Sequence, residues 1–179
     1  MDLIYQDWLH SNFEQGMALA NSSDLLTLVP LGHEPFTRYA AWYTCRGLVR
    51  TGLSEPTVAE RFGVFIQFPH DYLRRANWFE VLSWAMPETA FHPNIAPAGP
   101  HNTSLICVGR VKPGELLCTL LERCHEVITF QNVNMFDGDA LNRDACAWAR
   151  NHQHLFPIDP RPLRRRQLDL TIEPVEVTP

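Results

Sequence analysis

The sequence predicts an α+β fold: an N-terminal helix, a four-stranded antiparallel meander, a loop carrying the chemistry, and two C-terminal helices. Three observations lead there. Apolar residues fall at helical spacing near the start of the chain and again in its last third. Between them lie short runs rich in aromatic and β-branched residues, and the links joining those runs leave no room for a crossover helix.

The elements follow in order. In residues 3–19, Ile4, Trp8, Phe13 and Met17 recur every four or five positions, a rough amphipathic stripe interrupted by Asp7, Ser11 and Asn12. The apolar run at 25–29 ends at Pro30 with Gly32 beyond, as a strand and turn would. Three further strands are predicted at 39–50 (YAAWYTCRGLVR), 61–68 (RFGVFIQF) and 78–84 (WFEVLSW). In 115–130 the period changes: Leu117, Leu120, Leu121, Cys124, Val127 and Ile128 mark a helix with one buried face. A last helix, 141–152, aligns Leu141, Ala145, Trp148 and Ala149, with Asp139 or Asn142 available as N-cap and Phe156-Pro157 closing it.

The totals bound the function. A chain of 179 residues is most simply one domain, here 1–160 followed by an Arg- and Pro-containing tail at 161–179. Its 45% hydrophobic and 20% charged residues suit a globular protein. Net charge is −5 with scattered basic residues, which disfavours nucleic acid as a partner. The one dense basic run, at 161–166, reads first as a solvated chain end and second as a docking aid toward an acidic partner. No apolar segment approaches the roughly 20 residues of a membrane span. Five cysteines at irregular spacing, and a charged N-terminus without a signal-peptide core, point to a reducing, cytoplasmic setting.

Two short motifs carry the chemistry. Residues 92–95 read HPNI, a rigid turn, and 104–107 read SLIC, a cysteine amid apolar neighbours; upstream stand FPHDYL at 68–73 and downstream DGDALN at 137–142. In this order they resemble the ubiquitin-conjugating enzyme family over roughly residues 20–155. The closing pattern LNRDACAWARNHQHLFPIDPRPL looks more like the bacterial conjugating-enzyme-like proteins. Such proteins are typically encoded beside an activating enzyme, a ubiquitin-like protein and a JAB-type peptidase, in operons linked to phage defence. Two departures stand out. Asn94 and Cys107 are thirteen positions apart, several more than is usual in the family, so 95–105 carries an insertion; and Leu73 replaces the proline that generally follows the tyrosine.

The resemblance assigns roles. Cys107 would hold the C-terminal carboxylate of a ubiquitin-like protein as a thioester, received from an activating enzyme and passed to a lysine of a protein substrate. A free cysteine ionises near pH 8.5, and a few per cent of thiolate suffices for transfer from an activated thioester. Asn94 would donate to the oxyanion or brace the loop bearing Cys107. His92 and Pro93 would fix the turn, with general base the lesser reading for His92. The attacking lysine is almost wholly protonated at neutral pH, so a rim carboxylate must orient it and take its proton. Asp139 matches that acidic position, Asp137 comes second, and a plain helix cap is the bland alternative. Tyr72 reads as packing, and His101 and Asn102 as polar groups of the insertion within reach of Cys107.

Other classes are weaker. A silent variant that only presents a ubiquitin-like protein would have no use for a cysteine in the SLIC context. Zinc would need a Cys-x-x-Cys pair or a His-Glu-x-x-His helix, and the chain has neither; Cys124 and His125 are adjacent and point to different faces of their helix. With no phosphate-binding Gly-rich loop, ATP use falls to the partner activating enzyme, and no cofactor is expected. Core packing is the expected role of Cys45, Cys118, Cys124, Cys146 and Trp8, with contact to the activating enzyme second for the region around Trp8.

Overall fold

The computed structural model describes residues 2–96 and 104–164. Helix α1 (Leu3–Asn21) is followed by β1 (Leu26–Leu31), β2 (Arg38–Tyr43), the short β3 (Gly47–Val49) and β4 (Thr57–Ala59), and β5 (Phe62–Gln67). A single helical turn, α2 (Trp78–Val81), leads into β6 (Leu82–Met86); two-residue strands β7 (Ile95–Ala96) and β8 (Leu105–Ile106) precede α3 (Leu117–Ile128) and α4 (Arg143–Asn151). The main sheet runs β1-β2-β5-β6, antiparallel throughout. The protein is thus α+β, with an N-terminal helix, a four-stranded antiparallel sheet and C-terminal helices.

Two predicted strands are revised. The run 39–50 is not continuous, because it leaves the sheet after Tyr43. Arg46 N–H turns to the Asp159 carboxylate, and Gly47 sits so close to the Phe62 ring that a Cβ there would lie 2.6 Å from it. The chain beyond pairs with β4 in a separate hairpin. The run 78–84 begins as a helical turn: the Asn77 amide donates to the Glu80 carboxylate at 3.0 Å, a local bond that favours a turn over a ladder. The strand starts only at Leu82.

One sheet face supplies Leu28, Tyr39, Tyr43, Val64 and Ile66 to a core shared with α1 and α3. All six apolar positions predicted for α3 are buried. The buried stripe of α1 is not the predicted one: Tyr5, Leu9, Asn12, Gly16 and Leu19 face inward, Ile4 is exposed, and Trp8, Phe13 and Met17 are half-buried at the flanks. Trp8 packs edge-on against Phe68, with ring centroids 4.9 Å apart.

The packed body also runs past 160. Leu163 is buried in the core, and buried Asp159 accepts from Arg46 N–H, Arg161 N–H and the Arg161 guanidinium. The expected boundary therefore falls inside a strap laid against α3, and residues 165–179 lie outside the described residues. Among the described residues, no helix is long and apolar enough to cross a membrane.

Candidate functional site

The HPN turn and Cys107 meet through backbone pairing. Ile95 pairs with Ile106 and Ala96 with Leu105, closing the base of the insertion. The ladder continues one step, with Cys107 N–H donating to the Asn94 carbonyl at 2.8 Å. Thirteen positions of sequence separation thus become direct adjacency. Ile106 and Val108 are buried on either side and anchor the cysteine, which is itself half-exposed. Cys45, Cys118, Cys124 and Cys146 are all buried, and burial pushes the Cys45 and Cys124 thiols up to about 12.

Asn94 is the hub. Its Nδ2 donates to the Cys107 carbonyl at 2.9 Å, and its Oδ1 accepts from Asn134 N–H at 2.8 Å. The side chain is braced at both ends in this arrangement, and one amide hydrogen has no partner among the described residues. His92 lies behind the turn at 1% exposure, its Nδ1 accepting from Asn94 N–H at 3.0 Å. That bond places the proton of the neutral ring on Nε2, which is buried with no partner among the described residues, and the Phe130 ring meets the imidazole edge-on at 4.2 Å. Desolvation lowers its pKa to about 3. Its burial and its bond to Asn94 N–H make the imidazole a brace of the turn.

The acidic loop is tied to the same turn at both ends. Asn134 N–H bonds Asn94, while Leu141 N–H and Asn142 N–H both donate to the Pro93 carbonyl, at 2.9 and 3.2 Å. Between these ties Asp137 pairs with Arg150 at 2.7 Å, and that hydrogen bond lowers its pKa. Asp139 is exposed and has no ion-pair partner among the described residues. The α4 cap is Asn142, whose Oδ1 accepts from Ala145 N–H at 3.1 Å, so Asp139 is not needed for that task. His101 and Asn102 lie outside the described residues.

Sequence reasoning missed two supports. Arg123 on α3 reaches back to the loop after Cys107, donating to the Val108 and Arg110 carbonyls at 2.7 and 3.0 Å while paired with Glu115. Its sequence offers little signal, since Arg123 is one of several polar residues on α3, with Glu122 and Glu126 beside it. Asn134 acts through its backbone amide, which leaves no trace in residue type. Tyr72 is fully buried, its hydroxyl donating to the Glu115 carbonyl at 3.1 Å, a packing role that secures the same loop. Among the described residues no three of His, Cys, Asp and Glu converge as a metal site would require. A scan against protein-family models finds no match, and a search of curated proteins finds none either.

Proposed function

We propose that the protein is a conjugating enzyme of the ubiquitin-conjugating type, acting in bacterial antiviral defence from the cytoplasm. One observation carries the reading: of five cysteines only Cys107 is not buried, and its peptide group is bonded on both sides to the asparagine of an HPN turn. The order of helix, antiparallel sheet, turn, cysteine and helices is what the resemblance to that family implies.

The Cys107 thiolate attacks the carbonyl carbon of a ubiquitin-like protein's thioester on an activating enzyme. A new C–S bond forms at Cys107, the old one breaks, and the activating enzyme leaves as thiolate. A substrate lysine then attacks the same carbon. The oxyanion accepts a hydrogen bond from the remaining amide N–H of Asn94. As the C–S bond breaks, the electron pair returns to Cys107 and the amine proton passes to Asp139 or to water. A JAB-type peptidase from the same operon would reverse the modification.

The test is a gel-shift with activating enzyme, ubiquitin-like protein and ATP. An adduct cleaved by reductant is expected with the natural chain and absent in Cys107→Ala. An adduct that persists in Cys107→Ala overturns the assignment. Co-purification with products of its operon, followed by mass spectrometry, identifies the modifier and target.

A further inference from the structure

The sheet face turned away from α1 and α3 is apolar and is covered by no described element. Val29, Trp42, Phe65, Phe79 and Met86, all between 37% and 53% exposed, gather on it. Such convergence differs from apolar residues scattered singly. Trp42 lies across Gly63, where a Cβ would stand 2.4 Å from the indole, and meets Phe65 edge-on at 6.5 Å.

Two charges of opposite sign stand at the Gln67 end of this face. Arg38 flanks Gln67 from β2, and Glu80, two residues before Leu82, flanks β5 from the β6 side. Together with Leu31, Phe65 and Phe79 they line a hollow of about 290 Å³. Arg38 has no ion-pair partner among the described residues, and the nearest cation to Glu80 is Arg75 at 3.9 Å. A cation beside an aliphatic floor on one side of β5, and a carboxylate beside a projecting phenyl ring on the other, form a self-complementary pattern. A twofold axis along β5 exchanges the two sides.

We propose that this face is an isologous interface for a second copy of the chain, with β5 stacked on β5 and each Arg38 set against Glu80 of the other copy. Phe79 of one copy then fills the hollow beside Leu31 and Arg38 of the other. The apolar surface spans four strands, about 14 Å between the outer two. That is small for a permanent dimer, so dissociation falls on the order of micromolar. The inference is independent of the conjugating reading.

Sedimentation velocity on the full chain from about 1 to about 500 μM tests it. The expected result is a monomer–dimer equilibrium that Phe65→Asp weakens at least about 10-fold. Arg38→Glu and Glu80→Arg should each weaken it about 5-fold, and the double variant should restore it to within about 2-fold. All three side chains are exposed, so melting temperature serves as the folding control. A monomer throughout the range overturns the proposal. So does a dimer indifferent to Phe65→Asp, or single charge reversals that the double variant does not rescue.

Discussion

Asn94 joins three segments that are far apart in sequence: its carboxamide holds the Cys107 carbonyl and Asn134 N–H, while its own N–H rests on His92. Replacing it with alanine leaves the part-buried Cys107 carbonyl and Asn134 N–H unpaired, at about 1 kcal/mol each. If it also donates to the oxyanion, discharge of the thioester to lysine should slow on the order of 10²-fold while loading slows far less. Single-turnover loading and discharge, followed separately, check this; equal slowing of both would reduce Asn94 to a brace. His92 adds a pH signature. Its folded pKa of about 3 lies below the 6.5 of an unfolded histidine, so unfolding takes up a proton between those values. Its contribution to stability is full above pH 6.5 and is lost as pH falls toward 3. Buried His125, lowered by desolvation, acts in the same direction. Urea midpoints should therefore drop between pH 7 and pH 4.5, and the drop should shrink in His92→Gln.

Helix α1 marks the limit of periodicity as a guide. Its existence was legible, its inward face was not, because that face includes Asn12 and Gly16. Both are explained by α3. Leu116 at the α3 N-cap has no side-chain acceptor, and Asn12 Oδ1 takes Leu117 N–H at 2.7 Å instead. Gly16 admits Leu117 so closely that a Cβ would lie 2.6 Å from it. A pattern that counts only apolar residues passes over a polar cap from one helix to another. Asn12→Leu should cost about 1–3 kcal/mol, or about 2–12 °C in melting temperature. Gly16→Val should cost more, since its branches must displace Leu117 from the core. By contrast α3 is legible because its predicted stripe is apolar throughout, with buried His125 beside it, while the extent of β2 is not, because the break at Arg46 depends on Asp159, 113 residues away.

At the scale of the molecule, what sequence obscured is closure. The HPN turn, SLIC and the acidic loop were each visible as motifs, yet their junction rests on backbone bonds, namely β7 on β8 and the amides of Asn134, Leu141 and Asn142. Closure at the far side rests on the strap 159–164, where composition suggested a tail. Asp159 is 1% exposed and, bonded chiefly by Arg161, has its pKa lowered to about 2. It ties the strap to Arg46 N–H, at the point where the chain leaves the sheet, while the Gln131 amide donates to its carbonyl at 3.1 Å. Leu163 completes the seal at 4% exposure. Leu163→Ala should thus cost about 2–4 kcal/mol. Asp159→Asn, which turns amide hydrogens toward backbone donors, should cost about 1–3 kcal/mol at pH 7. Because the folded carboxyl titrates below its unfolded value near 3.8, the Asp159 contribution is present above that pH and fades as pH falls through about 2. The deficit of Asp159→Asn should accordingly narrow when melting is followed from pH 7 down to pH 2.5. Neither change touches Cys107, so loading at low temperature should survive in both variants. Wild-type melting in both would mean that the strap is an appendage and that the body closes without it.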